Sequence, residues 1–194
     1  MLGRNGAGKT TLLKLVAARM KPDAGAVRLG ANLKVGYFAQ QSLEQLDPGL
    51  TAFEQVQKAF PTEGRGVLMN LLGAFQFCGD DVDKPTRILS GGERSRLVLA
   101  IMLFDPPNFL ILDEPTNHLD LETKEMLVAA LKDFEGTMLF VSHDRTFLKG
   151  LSNRVLELRP GDGDGTVALP PLVYDGTYTE FVARTGGEAA GVHR

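Results

Sequence analysis

Gly3-Arg4-Asn5-Gly6-Ala7-Gly8-Lys9-Thr10 decides the reading of this chain, because glycines at fixed offsets run straight into a Lys-Thr pair and a helical pattern. The spacing is G-x-x-x-x-G-K-[ST], a backbone loop whose N–H groups curl around phosphate oxygens. The helix that follows reads from residue 9 to about 20, with Leu12, Leu13 and Val16 on one face. Its N-terminus adds a partial positive charge where an anion would sit. In such a loop the lysine, Lys9, reaches the β- and γ-phosphates and the Thr10 hydroxyl ligates Mg²⁺. A glycine-rich turn that merely caps a helix is the plainer alternative. The stretch is also basic, with Arg4, Lys9, Lys14, Arg19 and Lys21 ahead of the first acid, Asp23, as in an organellar targeting peptide. It holds no serine, however, and Gly3, Gly6 and Gly8 would spoil an amphipathic targeting helix. The loop reading stands.

Triphosphate chemistry needs a second half, a metal site and a base, and Phe109-Leu110-Ile111-Leu112-Asp113-Glu114 supplies the residue types. An apolar strand there delivers two adjacent carboxylates at its C-terminal end, where open α/β sheets place their ligands. The two acids divide the work naturally: Asp113 holds Mg²⁺ and Glu114 activates the hydrolytic water. Taken alone, the pair is a strand ending in a solvated acidic turn. Leu89-Ser90-Gly91-Gly92-Glu93 opens a strong helix, and Ser90-x-x-Glu93 by itself is a capping box. Its glycines also permit close backbone approach, so that helix end can take a phosphate. His143 follows a second apolar strand, and Gln40 ends an earlier one; each is an ordinary residue in isolation.

Outward from these segments, strands and helices alternate. Strands are expected at 27–29, 33–39, 109–112, 137–142, 154–158 and 172–174, and helices at 51–60, 65–77, 91–104, 121–134 and 144–151. Residues 160–166 read as a turn-rich loop and the tail from 185 as loose. This order predicts an α/β fold with a mainly parallel sheet flanked by helices. With 194 residues, 43% hydrophobic and 23% charged, the chain suits one domain with a small annex rather than disorder. A net charge of −3 gives no global attraction to nucleic acid or acidic membrane. The single cysteine, Cys78, excludes an internal disulfide and a cysteine-built zinc site and points to a reducing compartment, the cytoplasm. The longest apolar run, 97–104, falls far short of the ~20 residues of a membrane span.

Together the motifs resemble the nucleotide-binding domain of ATP-binding cassette (ABC) ATPases, a P-loop NTPase fold with a small helical subdomain, here about 45–104 in a domain of 1–184. The order is the same: phosphate loop, Gln40, signature at Leu89–Glu93, acid strand ending in Asp113-Glu114, Asp120, and His143. Glu114-Pro115-Thr116-Asn117-His118-Leu119-Asp120 looks like the ABC-F branch, soluble ATPases associated with ribosomes and translation, and the closing segment 173–181 is similar too. The chain resembles the second of two tandem cassettes. The resemblance implies ATP and Mg²⁺ as ligands. Gly3 to Thr11 would hold phosphates, Glu114 would be the general base, Gln40 would sense Mg²⁺ and water, and His143 would contact the γ-phosphate. Ser90, Gly91, Gly92 and Glu93 would act in trans on nucleotide held by a facing cassette, with Asp120 in the adjoining loop.

In the family a strand precedes the phosphate loop and an upstream aromatic stacks on adenine, whereas here only Met1 and Leu2 precede Gly3. An interior strand lost from a sheet leaves backbone edges unpaired, so the chain is expected to be poorly stable and to bind nucleotide weakly. Two other functions share the motifs: the ATPase subunit of a membrane transporter, and a nucleotide-gated module that does not hydrolyse. The ribosome as partner rests on the resemblance alone.

Overall fold

The computed structural model describes residues 1–117, 119–159 and 169–186, and of Gln40 the backbone alone. His118, the expected loop at 160–166 and most of the tail from 185 lie outside the described residues. Three strands, β1 (Val35–Phe38), β2 (Phe109–Asp113) and β3 (Thr137–Val141), form a parallel sheet in the order β1-β2-β3. In register, Phe38 faces Leu112 and Asp113 faces Val141, so the two C-terminal ends of β2 and β3 finish level.

Both faces of this sheet are covered, as the near-continuous apolar runs require. Tyr37, Ala39, Ile111 and Val141 pack on one side with Leu13 of helix α1 (Lys9–Val16). Phe38, Leu110, Leu112 and Phe140 join the larger core with α4 (Gly91–Phe104), α5 (Leu121–Lys132) and α6 (Arg145–Leu151). The alternation follows the period of two along a strand. Leu110, Ile111 and Leu112 are fully buried, each contributing about 1.5–3 kcal/mol relative to exposure.

Helices α2 (Ala52–Ala59) and α3 (Arg65–Ala74) stand between β1 and α4, and α3 packs against α4 through residues such as Leu68 and Leu72. An antiparallel pair, β4 (Arg154–Arg159) and β5 (Leu169–Asp175), then leads into α7 (Tyr178–Thr185). Pro170 and Pro171 sit in β5, which among the described residues pairs with β4 on one side, and an edge strand tolerates a missing N–H.

Several expected boundaries shift for local reasons. The first helix stops at Val16 rather than near 20. Ala18 takes a left-handed φ of 54°, and the Arg19 and Ala18 N–H groups donate to the Lys14 and Leu15 carbonyls, at 2.9 and 3.1 Å. That is a Schellman stop with alanine in the place glycine usually takes. Helix α3 ends the same way at Gln76. The expected strand at 27–29 does not form: Val27 and Leu29 are exposed and no described strand pairs with them. A strand without a neighbour has nowhere to place its N–H and C=O groups.

Met1 and Leu2 lie between β3 and β4. The Leu2 N–H donates to the Leu156 carbonyl at 2.8 Å, Leu158 N–H donates to the Leu2 carbonyl at 2.9 Å, and the Met1 amino group donates to the Phe140 carbonyl. Beyond this one rung a cavity of about 960 Å³ separates the two strands, lined by Met138, Phe140, Arg154 and Leu156 among others. Among the described residues no helix is long and apolar enough to cross a membrane.

Candidate active site

The glycine loop folds over its own lysine. Gly3 has φ +147°, and a Cβ there would stand 2.9 Å from the Leu158 carbonyl oxygen, so only glycine lets the loop leave the sheet this closely. Gly8, at φ 85°, caps α1 and accepts from the Leu12 N–H at 2.9 Å. The Lys9 ammonium is buried and donates to the carbonyls of Gly3 at 2.7 Å and Arg4 at 3.1 Å. Burial pulls its pKa down, while Glu114 and then Asp113 push it back up.

The acids arrive from the other direction. β2 delivers Asp113, buried, and the Thr10 hydroxyl donates to its Oδ1 at 3.2 Å. Two residues that are 103 positions apart thus meet because α1 packs beside β2 and β3. Glu114, one residue past the strand, has a left-handed φ of 52°, rare for a residue with a side chain. Its Oε2 accepts from the His143 N–H at 3.3 Å, and the His143 ring Nε2 lies 3.0 Å from Oε1. Burial raises the Glu114 pKa above the ordinary carboxylate value; His143 opposes this most strongly, and Asp113 adds to it.

A cavity of about 420 Å³ is lined by Asn5 to Thr11 together with Asp113, Glu114 and His143. A larger opening, between β3 and β4, touches none of these acids and is a gap between strands rather than a site of chemistry. A hard cation takes oxygen ligands, and the Thr10 hydroxyl beside the Asp113 carboxylate is a donor set of that kind. A third recess adjoins Thr10, Asp113 and Glu114 and is walled by Tyr37, Ala39, Gln41 and Asn117. Gln40 opens a 3-10 turn, Gln40–Gln45, between Ala39 and Gln41.

The signature residues are elsewhere. Ser90 caps α4, accepting from the Glu93 N–H at 3.2 Å while Glu93 Oε2 accepts from the Ser90 N–H at 2.7 Å, and neither lines the loop cavity. Asp120 caps α5, accepting from the Thr123 N–H at 2.8 Å. Arg96 of α4 donates to the Thr123 hydroxyl at 2.9 Å, which ties the signature helix to that cap. Tyr37, Thr116 and Ser142 also belong to this region, though no motif in the sequence marks them. The Tyr37 phenol is raised in pKa by burial and then by Asp113. Its signal was a polar-tipped aromatic inside an otherwise apolar strand.

The family described as "ABC transporter" matches residues 1–117. Putative ATP-binding protein YdiF of Bacillus subtilis is 48% identical over 158 residues, which is 81% of this chain and 24% of that protein. ABC transporter F family member 5 of Arabidopsis thaliana is 44% identical over 162 residues, 83% of this chain and 23% of that protein. The chain spans about a quarter of the length of the curated relatives it matches. Among solved structures, a complex of archaeal ribosomal stalk protein aP1 and archaeal ribosome recycling factor aABCE1 is similar at TM-score 0.68 and 27% identity, covering 95% of this chain and 37% of that one. A dimeric post-hydrolysis state of the ATP-binding cassette MJ0796 bound to ADP and Pi matches at TM-score 0.65, covering 88% of this chain and 82% of that one; at 23% identity it bears on the fold alone.

Proposed function

The chain belongs to the ABC transporter family, with relatives that carry ABC-F names, and from that premise we propose that it binds ATP with Mg²⁺ and hydrolyses it as one ABC-F-type cassette. The observation that carries the proposal is the single cavity lined by the glycine loop, Asp113, Glu114 and His143. Lys9 and the loop N–H groups bind the phosphates. Thr10 and Asp113, with Gln40, would hold Mg²⁺, which when bound would neutralise phosphate charge. Glu114 accepts a proton from the attacking water through the carboxylate that faces His143. The His143 ring holds that carboxylate in place and, lining the same cavity, would contact the γ-phosphate.

The signature segment Ser90–Glu93 and Asp120 serve a second cassette. None of them lines the loop cavity, which favours action in trans, and the dimeric MJ0796 cassette offers a fold-level precedent. Residues 45–104 form the helical subdomain within a cassette of 1–184. A ribosomal partner in the cytoplasm is supported by the ABC-F names and by the aABCE1 likeness.

Phosphate release by the parent chain and by Glu114→Gln tests the chemistry. The parent should turn over ATP, while the variant keeps nucleotide and loses turnover by about 10²–10⁴-fold. Equal rates would remove Glu114 from the mechanism. Co-sedimentation with ribosomes rather than with membranes tests the partner.

A further inference from the structure

We infer that the buried Thr116–Ser142 hydroxyl pair is a positioning clasp that sets how Glu114 meets His143. The two oxygens lie 3.2 Å apart, and both side chains are almost wholly buried, at 5% and 1% exposure. The parallel ladder of β2 and β3 ends at Asp113 opposite Val141, and Glu114 N–H still reaches the Val141 carbonyl at 3.0 Å. Beyond that point the chains part into two turns. Glu114 begins one turn in a left-handed conformation, and His143 leads into the Asp144 cap of α6.

The hydroxyl pair is a second cross-link beyond the ladder, beside the Glu114–His143 contact itself. It stands two residues past Glu114 and one before His143. Ser142 Oγ also accepts from the Asp144 N–H at 3.1 Å. Asp144 in turn caps α6, accepting from the Phe147 N–H at 3.0 Å, and takes the Lys124 ammonium of α5 at 2.9 Å. The His143 turn is therefore fixed from behind by two helices, and Thr116 ties the Glu114 turn to it. Neither hydroxyl lines the loop cavity, so neither touches substrate there. Their role is to hold the carboxylate at the pitch from which it takes a proton. This deepens the hydrolytic reading and rests on it.

Thr116→Val keeps the branched shape and removes the oxygen; Ser142→Ala removes the other oxygen without a carbon. Each should lower kcat about tenfold or more with KM nearly unchanged, since a small displacement of a catalytic group costs on that scale. The double variant should be no slower than the slower single one, because the two act as a unit. Thr116→Ser should keep most of the parent rate. A parent-like kcat in both folded single variants overturns the clasp, as does a loss in KM alone. NMR of the His143 ring separates this from failure of the hydrolytic reading. Glu114→Gln marks the resonance shift that loss of the contact produces. Ser142→Ala or Thr116→Val should shift the ring resonance the same way even if no turnover is seen, and an unmoved resonance refutes the clasp.

Discussion

Glu114 pulls its own site in two directions with pH. As a base it must be ionised, yet burial favours its neutral form. The acid limb of kcat/KM should therefore fall at a pH above the ordinary carboxylate value of 4.5, activity being lost as pH drops, and Glu114→Gln should abolish that limb with the rate. The sign for stability is opposite. A pKa raised by folding favours the native state while the group is protonated, and that contribution fades as pH rises through the folded pKa. Glu114→Gln, neutral throughout, should melt no lower than the parent at neutral pH; a clear drop in its melting temperature would contradict this. At this scale the sequence was informative about identity and silent about posture. The loop motif and the acid pair were legible because their chemistry needs those residue types at those spacings. The left-handed turn at Glu114 and the hydroxyl pair behind it were not, since both depend on β2 and β3 ending level.

Elements with complete end signals were read almost to the residue. Helix α4 runs from Gly91 to Phe104 as expected, because Ser90 and Glu93 form a full capping box ahead of an apolar run. Thr177 and Glu180 form the same box for α7, a helix not among those expected although its capping signal is in the sequence. The strand at 27–29 was misread because alternation says nothing about whether a partner strand is at hand. Capping also gives a control for the role of the signature. Ser90 and Thr51 cap α4 and α2 with the same geometry. Ser90→Ala and Thr51→Ala should each cost about 0.5–2 kcal/mol in denaturant unfolding. If Ser90 also serves a facing cassette, only Ser90→Ala should depress turnover beyond its effect on stability. Matching activities in the two variants would leave Ser90 a cap and nothing more.

Across the whole molecule, the parallel alternation of helices and strands was legible, and the joint between the two sheets was not. Thr137 N–H donates to Asn108, so by strand alternation Met138 and Phe140 turn their backbone groups away from β2 toward the cavity. Across that cavity, among the described residues, Leu2 joins the backbone of β4, and Arg154 and Leu156 look back at the gap. Cooperative unfolding depends on contacts that cross from one part of a protein to another, and among the described residues the backbone crosses here through Met1 and Leu2. The hairpin of β4 and β5 is thereby held to the rest of the fold mainly by side chains, Val155 and Tyr174 packing with Phe147, Leu148, Tyr178 and Phe181. Native-state hydrogen exchange should release the Val155 and Tyr174 amides at a distinctly lower opening free energy than Ile111. Equal protection at all three would mean that the side chains of α6 and α7 weld the halves into one melting body.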